Sequence, residues 1–166
     1  HFNGAGGDVA AGKYNDGQKI RRKELTERLA DGMWRAWQSA RSVAVQASDL
    51  GYRTESVSLP PSPALKTAAL LARLGDQKLQ KRDRIRAARD LTWLRRTEAG
   101  RQIDLACLRV GKARILHLPG EAFVAYQLYA QQLRPDLTVC TAAYGDYGPG
   151  YIGTPKAMDA LLDTMK

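Results

Sequence analysis

The longest periodic segment of the chain follows a glycine-rich opening. Residues 2–17 contain few bulky apolar side chains, and their glycine content predicts a loop. From Gln18 to about Gln46, apolar residues recur every three or four positions, which predicts one long helix. Its apolar positions form a single stripe that consists of Leu25, Leu29, Met33, Trp37 and Ala40.

Turn-forming residues divide the next part of the chain into one strand and two helices. The alternating segment "TESVSL" predicts a short strand, which "PPSP" ends. Ser62 fits the N-cap of a helix over about residues 63–74, with Pro63 in its first turn. A glycine-aspartate pair then separates this helix from a second, strongly basic helix that extends to about Glu98.

The second half of the chain alternates between predicted strands and helices. The segments "RQIDLACLRVG" and "KARILHLPG" predict two strands joined by a tight turn, and therefore an antiparallel hairpin. After them, "EAFVAYQLYAQQL" predicts a helix, "RPDLTVCTAAYG" a strand, "DYGPGYIGT" a loop and "PKAMDALLDTMK" a final helix. This order predicts a mixed α/β fold in which helices pack against one layer of sheet.

Length and composition fit a single globular domain. The chain has 166 residues, of which 44% are hydrophobic and 26% are charged. No apolar run reaches the roughly 18 residues that a membrane-spanning helix needs, and no signal peptide is visible. Because the first residue is His1 rather than methionine, we expect residues 1–166 to be one partial domain, a piece of something longer.

The net charge of +9 comes mostly from two predicted helices, in "KIRRKELTER" and "QKLQKRDRIRAARDLTWLRR". Both intersperse acidic with basic residues, which is typical of a solvated helix face. A basic surface also permits binding to nucleic acid or to an anionic membrane surface. The side chains that would form such a surface are Arg82, Arg84, Arg86, Arg89, Arg95 and Arg96. No specific nucleic-acid recognition motif accompanies them, so a solvated face is the favoured interpretation.

Cysteine and histidine are too scarce in this chain to form a metal site alone. Cys107 and Cys140 fall in different predicted strands, either as a disulfide or, as we expect, as two buried thiols. His117 lies within a strand, where a core or edge histidine is expected. Since a zinc site usually takes two or more histidines or thiolates, other ligands would have to come from outside this sequence.

Candidate chemistry lies where predicted strands end. Glu121 follows a Pro-Gly turn, where a carboxylate either ligates a metal or complements the dipole of a following helix. Tyr144, Tyr147 and Tyr151 stand in or beside a glycine-rich loop after the next strand. These tyrosines act as ligands or oxyanion donors, or they pack the loop onto the sheet.

The opening loop carries one acid, Asp8, near its centre and no serine, threonine or cysteine nucleophile. It lacks the Gly-Lys-Ser/Thr sequence of a phosphate-binding loop, and its glycine spacing differs from that of a dinucleotide-binding loop. We therefore expect its glycines to serve as backbone that approaches a pocket closely.

Three motifs in this order resemble a known enzyme family. They are "GGDVAAG" near the start, "LPGEAF" after one strand, and "GDYGPGYIGT" after the next strand. In order and spacing they resemble the later part of the catalytic domain of the neutral/alkaline, non-lysosomal ceramidases. More narrowly, they resemble bacterial ceramidase-like proteins that carry "GKYNDG" after the glycine loop. The likeness is strongest from Arg101 to Thr154.

The resemblance implies a zinc-dependent hydrolase of sphingolipid metabolism, secreted or periplasmic, that cleaves the amide bond of ceramide or of a related acyl amide. It implies Glu121 and Tyr147 as zinc ligands, with the histidine ligands upstream of His1. A bound zinc ion would activate water or polarise the amide.

The glycine loop departs from the family at one informative position. The family reads Gly-Asp-Val-Ser-Pro-Asn, and its serine is the catalytic group, whereas Ala10 occupies that position here, two residues after Asp8. We assign Gly7 and Tyr151 to substrate binding. Because Ala10 has no hydroxyl, one alternative is a catalytically silent relative that binds a ligand, and a more distant one is a basic nucleic-acid or anionic-surface binding module.

Overall fold

The computed structural model describes residues 2–10, 12, 15–146 and 148–153. The helices in these ranges are α1 (Lys19–Ser39), α2 (Thr67–Gly75), α3 (Lys81–Glu98) and α4 (Val124–Leu133). The strands are β1 (Leu50–Val57), β2 (Ile103–Val110), β3 (Ala113–Pro119), β4 (Glu121–Ala122), β5 (Thr138–Gly145) and β6 (Tyr151–Ile152). This composition confirms the predicted mixed α/β fold. The predicted final helix in "PKAMDALLDTMK" lies outside the described residues.

A four-stranded mixed sheet, in the order β1-β2-β3-β5, forms the centre of the fold. Strands β1, β2 and β3 are antiparallel neighbours, which confirms the predicted hairpin, and β5 is parallel to β3. Helix α4 connects these two parallel strands, as a crossover must. A second, two-stranded parallel sheet pairs β4 with β6 beside the carboxyl end of β3.

The main apolar cluster lies between α2 and α3. Its buried members are Leu70 of α2 and Ala87, Leu91 and Leu94 of α3, and Leu65 and Leu74 pack against them. The three α3 residues follow a spacing of four and three, so they share one face of the helix. The opposite face of α3 takes no part in this cluster, and it is turned toward the loops around β6.

Helix α1 is shorter than predicted, and its apolar stripe is exposed. The helix ends at Ser39 instead of about Gln46, and Ala40 already has an extended backbone (φ −66°, ψ 139°). The residues that follow include the β-branched Val43 and Val45, which are weaker helix formers than the preceding alanines and leucines. None of the residues of α1 is buried. No helix in the described ranges has both the length and the apolar character needed to cross a bilayer.

Two predicted helix starts are wrong, each for a local reason. Residues 62–65 form a separate turn, in which the Leu65 N–H donates to the Ser62 carbonyl (2.9 Å), so α2 begins only at Thr67. Ser62 caps this turn by accepting from the Ala64 N–H (3.3 Å). Likewise, Glu121 does not open a helix but lies in β4, so it is not placed to complement the dipole of α4 from within that helix's first turn.

The two cysteines lie on opposite faces of the sheet and are free thiols. Cys107 pairs with Leu116 of β3, and Cys140 pairs with the adjacent Ile115. Because neighbouring residues of a strand point to opposite faces, the two sulfur atoms cannot meet. Both cysteines are half-buried rather than fully buried. His117 is exposed on the inner strand β3, so it is neither a core nor an edge histidine as expected.

Candidate functional site

The candidate site is built around a direct pairing of Glu121 with Tyr151. These residues are register partners in the parallel β4–β6 pair. The Glu121 N–H donates to the Gly150 carbonyl (2.7 Å), and the Phe123 N–H donates to the Ile152 carbonyl (3.1 Å). The backbone therefore holds the two side chains next to each other, and the Tyr151 hydroxyl donates a hydrogen bond to the Glu121 carboxylate.

The electrostatics of this pair keep the phenol protonated. The hydrogen bond to Glu121 raises the pKa of Tyr151, because an ionised phenolate would face the carboxylate at close range. The negative charge of Glu121 acts in the same direction, while the positive charge of Arg86 lowers the pKa of Tyr151. Tyr151 is exposed, so this oxygen pair is accessible from solvent.

The opening loop packs directly onto this pair through Gly7. The Gly7 N–H donates to the Ala122 carbonyl (2.9 Å), between Glu121 and the start of α4. A Cβ atom on Gly7 would lie 2.2 Å from the Glu121 carbonyl oxygen, a distance that no side chain tolerates. Further back in the loop, the Asn3 carbonyl accepts from the Ala143 N–H (2.9 Å) of β5. Glycine is therefore required at position 7 by close backbone approach.

Asp8 joins the opening loop to the first turn of α4. Its Oδ1 accepts a hydrogen bond from the Val124 N–H (2.8 Å), at the first residue of the helix. The N-cap residue Phe123 has no polar side chain to satisfy this group, so Asp8 supplies the cap from a distant part of the sequence. Asp8 therefore acts as a structural connection that positions the loop.

Replacing Asp8 with alanine is expected to destabilise the fold by about 1 kcal/mol, because the Val124 N–H would lose its acceptor. Asp8→Asn should recover much of this loss, since the amide oxygen can accept the same hydrogen bond. Urea unfolding of the two variants and the parent chain measures the difference. Equal stability of Asp8→Ala and the parent would contradict the capping role.

Gly120 and Tyr144 shape the turn between β3 and β4. Gly120 has a positive φ of +54°, and its N–H lies 3.1 Å from the Asp146 carbonyl. Its own carbonyl accepts from the Tyr144 N–H (2.9 Å), and Tyr144 also has a positive φ of 65°. A non-glycine residue in this conformation is unusual and often occurs at functional sites. The Tyr144 hydroxyl lies 3.6 Å from the position of a Cβ atom on Gly6, so this side chain reaches the opening loop.

The basic helix α3 anchors the loop between β5 and β6. Arg96 forms a bidentate ion pair with Asp146, in which Nη1 lies 2.8 Å from Oδ1 and Nη2 lies 2.5 Å from Oδ2. The guanidinium also lies 5.8 Å from the ring centre of Trp93, one turn back along the helix. Asp146 accepts in addition from the Gly148 N–H (3.1 Å). The hydrogen bond from Arg96 is the main cause that lowers the pKa of Asp146.

The Arg96–Asp146 pair should stabilise the chain in a pH-dependent way. Because the pKa of Asp146 is lowered on folding, its contribution is complete above the unfolded pKa of about 4 and disappears as the pH falls through the folded value. A double-mutant cycle of Arg96→Gln and Asp146→Asn is expected to give a coupling of about 1 kcal/mol at pH 7. Urea unfolding at a series of pH values from 7 downward measures it, and a coupling that does not decline as the pH falls below the unfolded pKa of about 4 and through the lowered folded value would contradict this assignment.

The structure brings together four of the six residues that the sequence singled out. Gly7, Asp8, Glu121 and Tyr151 meet where β3, β4 and β6 come together. Ala10 lies in the exposed part of the same loop. Tyr147, the expected zinc ligand, lies outside the described residues. Sequence reasoning missed the contribution of α3, although the spacing of Arg86, Arg89, Trp93 and Arg96 at three or four residues is a signal that could have indicated it.

The donor set fits part of a metal site. Glu121 and Tyr151 present a carboxylate and a phenol oxygen side by side, and zinc accepts oxygen ligands of the carboxylate type. In the part of the chain that the structure describes, no three His, Cys, Asp or Glu side chains are grouped so that they could hold a metal ion. The paired oxygens would therefore supply two ligands of a larger set.

Comparisons with known protein families, with curated proteins and with solved structures found no match for this chain.

Proposed function

We propose that the protein is a zinc-dependent hydrolase that cleaves the amide bond of ceramide or of a related acyl amide. The observation that carries this proposal is the register pairing of Glu121 with Tyr151, directly under the glycine loop. The three motifs that resemble the ceramidase family meet at this one place. The three motifs are far apart in the sequence, so their meeting at one place supports a common site.

Each residue of the site has a defined role in this proposal. Glu121 and Tyr151 would bind the zinc ion with their side-chain oxygens, with Tyr151 taking the role that the resemblance gave to Tyr147. Gly7 would contribute to substrate binding by allowing the opening loop to pack closely against the backbone of Glu121, so that the loop borders the site. A zinc ion held by these oxygens would provide activation of water, so hydrolysis would not require a hydroxyl at Ala10. Hydrolysis would consume one water molecule: its oxygen would bond to the amide carbonyl carbon, the C–N bond would break, and a proton released by the water would go to the leaving amine.

Metal analysis of the full-length protein, which would include the histidine ligands expected upstream of His1, combined with hydrolysis of an N-acyl sphingosine, tests this proposal. We expect bound zinc in stoichiometric amount and turnover that a chelator removes and added zinc restores. A chain that binds no zinc and releases no fatty acid would overturn it. The variant Ala10→Ser distinguishes an active hydrolase from the alternative of a catalytically silent relative. A gain of turnover only in this variant would show that the parent has a binding pocket without its catalytic group.

Helix α1 gives one observation in favour of an anionic membrane surface as a partner. Trp34 and Trp37 are 59% and 75% exposed, on a helix that also carries Arg22, Arg28 and Arg35. Exposed tryptophan together with basic residues suits the interface of a bilayer that contains anionic lipid. We propose that α1 binds such a surface, where a lipid substrate resides.

Tryptophan fluorescence tests this contact, because Trp93 is only 6% exposed and serves as an internal reference. We expect a blue shift with phosphatidylserine-containing vesicles, weaker with phosphatidylcholine alone, and lost in the variant Trp34→Phe/Trp37→Phe. The remaining signal in that variant comes from Trp93. An unchanged emission spectrum, or association of the chain with itself instead of with vesicles, would overturn the proposal.

A further inference from the structure

Strand β1 forms one edge of the central sheet. It has eight residues, and β2 is its only strand neighbour in the part of the chain that the structure describes. The Gly111 N–H donates to the Asp49 carbonyl (3.0 Å), so the odd-numbered positions of β1 direct their backbone groups toward β2. The even-numbered positions therefore direct theirs outward. A strand edge of this kind can pair with a further strand.

The side chain of Arg109 covers the beginning of this edge. It crosses over its register partner Gly51, where a Cβ atom would lie 3.0 Å from the arginine Nε. Beyond Gly51, its Nη2 donates to the carbonyls of Ser48 (2.9 Å) and Leu50 (3.1 Å). These two acceptors are therefore occupied, and pairing with a further strand can begin only after Leu50.

The rest of the edge is open. Tyr52, Thr54 and Ser56 are exposed, and their outward backbone groups form no hydrogen bond with any residue that the structure describes. The three positions together offer three N–H donors and three carbonyl acceptors. This alternation of donors and acceptors is what one further antiparallel strand requires.

Two opposite charges flank the centre of the open stretch. Arg53 and Glu55 lie on either side of Thr54 and are exposed, and neither forms an ion pair with a described residue. Because strand residues two apart point to the same face, both side chains lie on one face of β1. Their register partners in β2 are Cys107 and Leu105, so neither charge faces an opposite charge within the sheet.

We propose that β1 pairs with β1 of a second copy of this chain, antiparallel and with Thr54 facing Thr54 at a twofold axis. Tyr52 of each copy then faces Ser56 of the other, so outward backbone groups meet outward backbone groups. Arg53 of each copy faces Glu55 of the other, and opposite charges in such positions stabilise antiparallel strands. The two four-stranded sheets join into one sheet of eight strands.

The charges select this register over its neighbours. A twofold axis at Arg53 would place two arginines opposite each other, and an axis at Glu55 would do the same with two glutamates, both of which are destabilising. An axis at Tyr52 would bring Glu55 opposite Asp49. The axis at Thr54 pairs each charge with its opposite twice, as the self-complementary surface of a twofold dimer must.

This interface lies apart from the candidate site. Strand β2 separates β1 from β3, whose carboxyl end leads to the Glu121–Tyr151 pair. Each copy would keep its own site, so the inference does not depend on the proposed hydrolase function.

Sedimentation equilibrium of the full-length protein at low salt measures the association. We expect a mass of two copies for the parent chain. Arg53→Glu and Glu55→Arg should each raise the dissociation constant of the dimer about tenfold or more, because like charges would then face each other twice. Thr54→Pro should give a folded monomer, since it removes an outward N–H at the centre of the pairing and leaves the bonds to β2 in place.

The exchanged variant Arg53→Glu/Glu55→Arg is the matched control. It keeps the net charge and the composition of the parent, and opposite charges again face each other, so it should form the dimer as the parent does. A mixture of the two single variants should form a mixed dimer, because one copy then presents two acids to two bases of the other. Urea unfolding of each variant confirms that the fold is retained.

A full-length protein that stays monomeric up to its solubility limit would overturn the inference, including the case in which another segment of the protein covers β1. A dimer with the same dissociation constant in the parent and in both single variants would also overturn it, because the contact would then lie elsewhere, as on the exposed stripe of α1. Failure of both the exchanged variant and the mixture to restore the dimer would exclude the Arg53–Glu55 register.

Discussion

Replacing Gly120 with alanine is expected to destabilise the fold by about 3 kcal/mol. A side chain in the left-handed region costs roughly 1–2 kcal/mol, and Gly120 has a φ of +54°. In addition, the new Cβ atom would lie 2.4 Å from the Gly150 carbonyl oxygen, which is backbone and cannot rotate away. Relieving such an overlap typically costs a further 1–3 kcal/mol or so. The movement would also separate β4 from β6.

Gly111 offers a matched control for this substitution. It has nearly the same φ, +56°, in the turn at the other end of β3, but a Cβ atom there meets open space. Gly111→Ala should therefore show only the conformational cost, about 1 kcal/mol. Urea unfolding of both variants isolates the close approach as a difference of about 2 kcal/mol. Equal destabilisation would mean that Gly150 can move without cost, and that the β4–β6 pairing is not rigid.

Replacing Glu121 with glutamine is expected to lower amide hydrolysis at least 100-fold and to weaken zinc binding strongly. The substitution keeps the size of the side chain but removes the negative charge that would hold the metal. Tyr151→Phe removes the neighbouring oxygen, and we expect a loss of about tenfold or more in zinc affinity. Turnover and metal content of the purified full-length protein measure both effects.

Tyr147→Phe is the control that identifies the ligand. If Tyr151 binds zinc, Tyr147→Phe retains most of the metal, whereas the reverse result would restore Tyr147 to the role that the resemblance implied. The unfolding free energy should change little in Glu121→Gln, because its backbone hydrogen bond to Gly150 remains. Full activity and full zinc content in Glu121→Gln would remove the basis of the proposed function.

The elements that could be predicted from the sequence are those with a strong local pattern. The hairpin of β2 and β3 follows from alternating residues around a tight turn, and Gly111 at that turn has the positive φ that such turns require. Helix α3 ends at Glu98, as predicted, because Gly100 just beyond it has a φ of +68°, the left-handed conformation that commonly closes a helix, and its apolar face contacts α2. In these segments, local preference and tertiary packing agree.

The elements that escaped prediction depend on distant partners. Strand β4 has only two residues, and its pairing with β6 cannot be seen in any local period of the sequence. For the same reason, the predicted start of α4 is too early. Glu121 and Ala122 are extended rather than helical because their backbone groups form hydrogen bonds with residues near Tyr151. The sequence of a polar loop with several glycines does not determine which strand it pairs with, or in which register.

The residues of the candidate site also divide into those that could be predicted from the sequence and those that depend on distant partners. Resemblance to a family selected Gly7, Glu121 and Tyr151, and the structure places them in contact. The role of Asp8 as a helix cap could not be read from the sequence, because its partner Val124 is far along the chain. Arg89 resembles part of any solvated basic face until its position beside Gly150 is known.

The Gly7–Ala122 contact also sets the order in which the site can form during synthesis. The opening loop leaves the ribosome before its hydrogen-bond partners in β4, α4 and β5, which follow more than a hundred residues later. Until then the loop has no surface on which to pack, and long-range closures of this kind are slow steps in folding. A nascent chain therefore lacks the assembled contacts of the candidate site until Tyr151 has emerged.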